Sequence, residues 1–274
     1  MRIYLLILAI TIWIPVLSLA QYVEHDLCGM LDSETLYNLE KTVGQAELPW
    51  LASILYTLKI KKTCMATVIT KQYLVTLAQC LVNVSIQGVL FGSTQKSMHI
   101  GLNCTATKEK PCPVIREIDH PVIIHPDYTQ PSKRNDIGLM RLNHPIFIWD
   151  AIRPICYPPA DVSKQDFVAQ HLLAAGLAQR ARRYTKLYVH IVDKEMCRMM
   201  YGGTEQSLCA NTCDNGSKFI SGSALMGVQV TQSKADYYYL IGMLAFVPED
   251  CLDYKPDLFL RVDSYVEWIQ SNIK

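Results

Sequence analysis

Residues 75–80 read V-T-L-A-Q-C, and Cys80 follows Cys64 by sixteen residues. The segment Tyr73–Leu77, which overlaps this stretch, is short, β-branched and aromatic, and this predicts a strand. Only Val262–Ile273 has apolar residues at helical spacing. The chain is therefore predicted to be an all-β domain of antiparallel strands rather than an α/β domain. Further predicted strands extend outward from the first: Leu51–Leu58, Ala66–Ile69, Val114–Ile118, Ile137–Leu142, Leu187–Val192 and Tyr237–Phe246.

The first twenty residues predict a secretory signal peptide. Arg2 is followed by an almost wholly apolar run over residues 3–16, and small residues end the segment near Ala20. The alternative, a membrane anchor, is disfavoured because the run is short and contains Pro15. Residues 21–41 are polar and are predicted to form a short pro-segment. We expect a secreted, extracellular protein, with about 250 residues left for one large all-β domain or two small ones.

Ten cysteines in a secreted chain predict disulfide bonds, since the extracellular space is oxidising. The spacing of Cys209 and Cys213 is also open to zinc, but no histidine cluster accompanies them, so we expect no metal site and no cofactor. Three sequons are candidate glycan acceptors, each with an unmodified surface loop as the alternative: Asn83, Asn103 and Asn215.

The net charge and the distribution of charged residues indicate which classes of binding partner to expect. The formal net charge is +1, which predicts no bulk attraction to nucleic acid or to membrane surfaces. The densest charge run contains Arg180, Arg182 and Arg183. It is either a solvated loop or a processing or polyanion-contact loop, since three guanidinium groups suit cleavage or sulfate binding.

Several segments resemble those of trypsin-like serine proteases, and they occur in the order of that family. V-T-L-A-Q-C at 75–80 is similar to the family's V-T-A-A-H-C. The resemblance implies two six-stranded antiparallel β-barrels with a C-terminal α-helix, over residues 42–274. Leu27-Cys-Gly29 and the short pro-segment resemble the short arthropod members. The other similar segments are Thr42-Val-Gly-Gln45 with Pro49-Trp50, Ile123-Ile-His-Pro-Asp-Tyr128, Asn135-Asp-Ile-Gly-Leu-Met-Arg-Leu142, Arg153-Pro-Ile-Cys-Tyr-Pro158, Gly242-Met-Leu-Ala-Phe-Val247, Lys255-Pro-Asp-Leu-Phe-Leu-Arg-Val262 and Tyr265-Val-Glu-Trp-Ile269.

The same resemblance implies how the cysteines pair. Three pairs correspond to bridges of the family, Cys64–Cys80, Cys197–Cys209 and Cys213–Cys251. Cys28–Cys156 resembles the bond that keeps a cleaved pro-segment attached to its domain. Cys104–Cys112 then remains as a local loop bond. The sequence alone does not prove this connectivity.

In that family a histidine deprotonates the nucleophilic serine, and an aspartate orients the histidine. The resemblance places Gln79 at the histidine position and Asp136 at the aspartate position. A side-chain amide is neutral at every accessible pH, so Gln79 cannot act as a general base. The nucleophile position falls on Ser221 when the S-G-x-x-L pattern is matched, or on Ser217 when residues are counted from Cys213. We favour Ser221, because the strand that follows then stays in register.

The acidic residue before the nucleophile is replaced as well. Ile220 takes its place on the first alignment and Gly216 on the second. In active members, cleavage frees an ammonium group that pairs with this carboxylate and orders the site. Cleavage after Lys41 would free the ammonium of Thr42, but neither replacement offers it a charge, and a buried unpaired ammonium is costly.

The substrate-binding positions are also altered. The oxyanion-hole glycine becomes Phe219 or Asn215, and a residue with a Cβ lacks the backbone freedom of glycine. Val247 and Asp257 stand where the resemblance implies two glycines that leave room for a substrate side chain. The chain is therefore expected to keep the fold without the chemistry.

The leading hypothesis is a secreted, non-catalytic serine protease homologue that acts by protein binding. The resemblance to arthropod homologues implies a cofactor, decoy or regulator in an extracellular proteolytic cascade, with active proteases or their zymogens as partners. One alternative is a low-activity or narrow endopeptidase that uses Ser221. A second alternative is a polyanion-binding secreted module that uses Arg180–Arg183.

Overall fold

A computed structural model gives the fold for most of the chain after the pro-segment. The predicted signal peptide lies outside the described residues, as does most of the pro-segment. The described residues are 28–30, 40–44, 47–57, 62–93, 112–130, 132, 134–147, 152–162, 165–168, 170–179, 183–202, 205–213, 218–230, 236–249 and 255–274.

The N-terminal half of the described chain forms one antiparallel sheet in the order β5-β4-β1-β2-β3-β7-β6. Its central strands are buried on both faces, since the sheet curls around its own core and also packs against its neighbour. The strands are β1 (Leu51–Tyr56), β2 (Met65–Val68), β3 (Tyr73–Thr76), β4 (Ile86–Phe91), β5 (Val114–Arg116), β6 (Ile123–Ile124) and β7 (Gly138–Arg141).

This sheet has seven strands where the resemblance implied six. The segment from Val114 to Ile124 is interrupted around Pro121, which has no N–H to donate to a ladder. Its first part pairs with β4 and its last part pairs with β7, so it supplies both edges of the sheet. The expected all-β fold of two curled antiparallel sheets is confirmed, and only the strand count differs.

The C-terminal half forms a six-stranded antiparallel sheet in the order β10-β13-β12-β11-β8-β9. An antiparallel bridge between Ile191 and Ala210 joins its two ends and closes the curl. The strands are β8 (His171–Leu177), β9 (Tyr184–His190), β10 (Ser207–Ala210), β11 (Ala224–Gln229), β12 (Tyr237–Phe246) and β13 (Asp257–Arg261).

Two α-helices lie in the described residues. The C-terminal helix α2 (Val266–Asn272) follows a 3₁₀ turn and buries Ile269, as the apolar spacing predicted. The helix α1 (Lys194–Tyr201) was not predicted. Asp193 caps it by accepting from two backbone N–H groups, and Gly202 ends it in the left-handed region. Neither helix is long and apolar enough to span a membrane.

Two apolar clusters form the core. The larger fills the first sheet and the contact between the sheets, and it includes the fully buried Trp50 and Leu139. The smaller fills the inside of the second sheet around Phe167 and Phe259.

Disulfides fix the loops to this core. The structure contains three of the pairs that the resemblance implies, Cys28–Cys156, Cys64–Cys80 and Cys197–Cys209. Cys112 and Cys213 are also disulfide-bonded, while Cys104 and Cys251 lie outside the described residues. Because Cys209 and Cys213 are both in disulfides, neither offers zinc a thiolate.

The Cys28–Cys156 bond leads to a prediction about cleavage after Lys41. We expect the 21–41 peptide to stay attached to the domain, because the bond links it to residue 156 across the cut. Mass spectrometry of the cleaved protein without reductant should find one linked species, and reductant should release the peptide. In a Cys28→Ser/Cys156→Ser control, cleavage alone should release it. Release from the native protein without reductant would contradict the assignment.

Candidate functional site

Gln79 lies in a 3₁₀ turn, Ala78–Cys80, directly after β3. The turn is held firmly because Cys80 is buried and bonded to Cys64, and the Tyr56 hydroxyl donates to the Cys80 carbonyl at 2.8 Å. Lys62 Nζ donates to the Gln79 carbonyl. The half-buried side chain of Gln79 is therefore directed by a rigid backbone rather than by a mobile loop.

Asp136 is almost fully buried, at 1% exposure, just before β7. Its Oδ1 accepts from the backbone N–H of Gln79 at 2.7 Å, and its Oδ2 accepts from Gln79 Nε2 at 2.7 Å. Nearby, burial raises the pKa of Tyr265 to about 12, and the negative charge of Asp136 adds to that rise. The carboxylate is thus held by two groups of one residue.

The same Gln79 amide reaches the second sheet. Gln79 Nε2 also donates to the carbonyl oxygen of Ala245, on β12, at 2.9 Å. Both neighbours of Nε2 are acceptors, a carboxylate and a backbone carbonyl, so the hydrogen-bond network assigns the nitrogen to this position rather than Oε1. A primary amide has two N–H donors, and both are used. Gln79 therefore links Asp136 of the first half to Ala245 of the second.

Ser221 lies in a tight turn beside this link. Its carbonyl accepts from the Met65 N–H at 2.9 Å, one residue beyond Cys64, and Gly222 N–H donates to the Leu244 carbonyl at 2.9 Å. Gly222 has φ +84, and a Cβ there would lie 2.1 Å from the Met65 oxygen, so the turn requires glycine. Among the described residues, the Ser221 hydroxyl has no hydrogen-bond partner.

The structure thus brings Gln79, Asp136 and Ser221 to the junction of the two sheets. It describes no position for Ser217, which lies outside the described residues. Gln79 and Ser221 are connected through the Cys64–Cys80 bond on one side and through Leu244–Ala245 on the other. No hydrogen bond of the described residues joins the serine to the amide.

The two residues before Ser221 are buried and apolar. Ile220 is 6% exposed and belongs to the larger cluster, and its N–H donates to the Leu177 carbonyl at 3.2 Å. Phe219 is 4% exposed, belongs to the smaller cluster and forms a bridge with Ala178. These side chains are part of the core, so the segment before the serine is fixed by apolar packing.

The Lys41–Thr42 bond, the predicted cleavage point, lies at the outer edge of β9. Both residues are exposed, but their backbone is paired. The Lys41 carbonyl accepts from Lys186 N–H at 2.8 Å, and Val43 N–H donates to the Tyr184 carbonyl at 3.1 Å. The uncleaved junction is therefore already docked as a short strand.

A buried ion pair supports the docked junction. Lys186 Nζ pairs with Glu47 Oε1, and both side chains are only 5% exposed. The other oxygen of Glu47 accepts from Gly44 N–H at 2.6 Å. Removing either charge would leave the other buried without its partner, which is strongly destabilising in proteins.

The Asp257 side chain is buried and is hydrogen-bonded to a residue of the same protein. Its Oδ2 accepts from the N–H of Thr212 at 3.0 Å and from the Thr212 hydroxyl, and both residues are buried. Burial raises the pKa of Asp257, and the Thr212 hydrogen bonds partly oppose that rise. Val247 is half-buried and packs on the smaller cluster. The sequence did not identify Thr212 as the hydrogen-bond partner of Asp257. The short segment between Cys209 and Cys213 was the signal that this region differs from its counterpart in the family.

The remaining predicted positions lie apart from this junction. Asn83 is exposed with φ 54, in the turn after the 3₁₀ segment, and Arg183 is exposed before β9. The other two sequon asparagines and two of the three clustered arginines lie outside the described residues. No group of three or more metal-ligating side chains occurs in the described ranges.

Comparison with known proteins supplies a family. The family model named Trypsin matches residues 39–269, which is most of the chain. The chain is 29% identical to Serine protease ea of Drosophila melanogaster, over 90% of this chain and 69% of that protein. It is 27% identical to Melanization protease 1 of the same organism, over 83% of this chain and 63% of that protein. The chain thus spans about two thirds of the length of these curated relatives.

A solved structure has the same fold. The Drosophila Grass clip serine protease of the Toll pathway superposes with a TM-score of 0.74 at 21% identity. The match covers 90% of this chain and 74% of that one. At that identity the likeness concerns the fold alone.

The Gln79 link leads to a prediction about stability. We expect Gln79→Ala to lower the free energy of unfolding by about 2–3 kcal/mol, because a hydrogen bond to a buried carboxylate is lost. The matched control is Gln72→Ala, which removes one hydrogen bond from Nε2 to a backbone carbonyl at 3.0 Å and should cost about 1 kcal/mol. Urea denaturation measures both. Equal losses in the two variants would show that Asp136 does not depend on the amide.

Asp257 leads to a prediction about pH. Its pKa is raised by folding, so the folded state binds the proton more tightly than the unfolded state. The stability of the native protein relative to Asp257→Asn should therefore fall as pH rises from about 4 through the raised pKa. Thr212→Ala removes the hydroxyl hydrogen bond that lowers this pKa, keeps the backbone one, and should extend the fall to higher pH. Unfolding curves at several pH values measure the difference, and a rise with pH would mean the opposite shift.

Proposed function

The chain belongs to the trypsin family, and we propose that it is a secreted, non-catalytic member that acts by binding other proteins of an extracellular proteolytic cascade. The single observation that carries this proposal is the Gln79 amide, whose two N–H groups are donated to Asp136 and Ala245. The group at the base position is thereby used for structure.

Gln79 has no means of moving the serine proton. The family mechanism requires a group that accepts the proton from the serine and returns it to the leaving group. The free side-chain atom of Gln79 is its carbonyl oxygen, which accepts a hydrogen bond but does not take up a proton near neutral pH. Orienting this amide more firmly, as Asp136 does, adds no basicity.

A second obstacle is the apolar segment before Ser221. Ile220 lies in the apolar cluster where the family mechanism needs a carboxylate for the new ammonium. An ammonium placed there would be desolvated without a partner, at a cost of several kcal/mol, so it would stay in water. The resemblance puts Phe219 at the oxyanion-hole glycine, and its buried side chain limits the backbone freedom that glycine has there. Cleavage after Lys41 would therefore free an ammonium group that has no carboxylate to pair with, so the cut would not order the site.

The specificity pocket is a third obstacle. Thr212 donates two hydrogen bonds to the Asp257 carboxylate, and the resemblance puts Asp257 at one of the two glycines that leave room for a substrate side chain. A substrate side chain would have to displace this pair and leave a buried carboxylate with fewer donors. Each buried donor or acceptor left unsatisfied costs about 1–3 kcal/mol.

Magnitudes favour the non-catalytic role over a slow endopeptidase that uses Ser221. Loss of the base in a serine–histidine unit lowers turnover about a millionfold in a well-studied serine protease of another fold. An oxyanion donor held out of line by the altered backbone at Phe219 would cost up to roughly a hundred- to thousandfold, the cost of losing one such donor. Catalytic groups that act as a unit give little rate enhancement when one of them is missing. The groups that remain at a partial site therefore support little turnover.

Protein binding remains available because it does not need the lost groups. Loops on a rigid β-scaffold are common recognition surfaces, and the sheets here are intact. One curated relative is named for melanization, and the similar solved structure is described as a protease of the Toll pathway. We therefore propose a cofactor, decoy or regulator role beside active serine proteases or their zymogens. Chemical cross-linking in native extracellular fluid should capture such family members, and capture of none would contradict this role.

The proposed lack of catalytic activity is tested by restoring a histidine at position 79. We expect Gln79→His to remain inactive after cleavage at Lys41, since Ile220, Phe219 and Asp257 are unchanged. The measurements are labelling by a serine-directed fluorophosphonate, an acyl-enzyme burst, and hydrolysis of a broad peptide library. Native protein should also show no turnover in any of the three.

The control separates this protein from contaminating proteases. Gln79→His/Ser221→Ala should behave like Gln79→His in every assay. A burst in Gln79→His that disappears in the double variant would mean that the oxyanion site and pocket are functional. Turnover by the native protein that disappears in Ser221→Ala would overturn the non-catalytic proposal itself.

A further inference from the structure

Two histidines face each other on the outside of the second sheet. His171 begins β8 and His190 ends β9, and the strand register pairs them directly. Both side chains are exposed, and their ring centroids are 4.0 Å apart with an angle of 59° between the planes. They lie well away along the chain from Gln79 and Asp136, and the proposed function makes no use of them.

The backbone holds this pair in place. Residues directly opposite on neighbouring antiparallel strands put their side chains on the same face, with Cβ atoms about 4.5–5.5 Å apart. The next register pair, Leu172 with Val189, is buried in the core and prevents a slip of one residue. Just beyond His190, Ile191 is bridged to Val168 and to Ala210. The histidines are therefore fixed at the backbone and free to adjust at the side chain.

We propose that His171 and His190 form a site for one exchangeable divalent transition-metal ion, with one imidazole nitrogen from each residue as ligand. Imidazole suits Zn²⁺, Cu²⁺ and Ni²⁺ rather than Mg²⁺ or Ca²⁺, which prefer oxygen ligands. The site goes beyond the proposed function and does not depend on it.

The geometry needs only a small adjustment. Metal–nitrogen bonds of about 2.0–2.1 Å at angles near 90–110° place two ligating imidazole centroids about 4.5–5.2 Å apart. The ring centroids are 4.0 Å apart, so the rings must separate by about 0.5–1 Å to share one ion. Rotation of exposed side chains provides that movement without a change in the strands.

Two protein ligands make an open site. A closed structural zinc site has four protein ligands, and the described residues contain no cluster of even three metal-ligating groups. Water completes the coordination in the isolated protein, so the ion exchanges and the fold does not require it. Tyr188, which is exposed two residues before His190, lies on the same face of β9.

The experiment is titration of the tag-free mature protein with ZnCl₂ and, separately, with NiCl₂, followed by calorimetry. We expect one ion per chain at the pair. His171→Ala and His190→Ala should each weaken that binding at least tenfold. The matched control is His144→Ala, because His144 is an exposed histidine of the first half of the chain. It should bind the metal like the native protein.

A second readout identifies the ligands. The electron paramagnetic resonance spectrum of the Cu²⁺-loaded protein should show coupling to two imidazole nitrogens, reduced to one in each single variant. Thermal unfolding without metal should be the same in all variants, since both side chains are exposed. Zinc should raise the melting temperature of the native protein and of His144→Ala, and much less that of His171→Ala or His190→Ala. Absence of binding, or binding that both alanine variants retain, would overturn the proposal.

Discussion

The Gln79 amide is the contact on which the junction of the two sheets depends. It donates one hydrogen bond to a buried carboxylate of the first half and another to a strand carbonyl of the second. A buried carboxylate without donors would be very costly, and Asp136 receives two hydrogen bonds from this one residue. The amide of Gln79 thus joins the two sheets.

The other substitutions follow the same physical logic. Ile220 and Phe219 extend the apolar core to the residue before Ser221, and Asp257 is paired with Thr212. The uncleaved junction is already paired with β9 and supported by the buried Lys186–Glu47 ion pair. The charged groups Asp257, Lys186 and Glu47 thus have hydrogen-bond or ion-pair partners within the protein.

Much of this could be predicted from the sequence, because the family motifs carry both fold and residue positions. Tyr237–Phe246 was predicted with its observed bounds, and the C-terminal helix within a few residues. The helix α1 was missed, although Asp193 and Gly202 are its cap residues and could have marked it. The strand β8, rich in leucine and alanine, has weak β propensity and is fixed by pairing with its neighbours.

The candidate site was harder to predict in detail. The meeting of Gln79 with Asp136 follows from their motifs, but the second hydrogen bond to Ala245 depends on how the sheets pack. The same holds for Thr212, whose partner lies 45 residues away in sequence. The histidine pair also became visible only from the register of β8 and β9. Contacts between distant segments are set by tertiary structure, which local patterns do not encode.

The central claim is that both N–H groups of the Gln79 amide are engaged inside the protein. Hydrogen exchange of the glutamine side-chain amides, followed by nuclear magnetic resonance on ¹⁵N-labelled protein, tests it directly. The Gln79 signals are assigned by their loss in Gln79→Ala, and the exposed Gln170 provides an internal reference. The account predicts that both Gln79 protons exchange much more slowly than those of Gln170. Equal exchange rates for the two residues would show that the amide is free and would contradict the account.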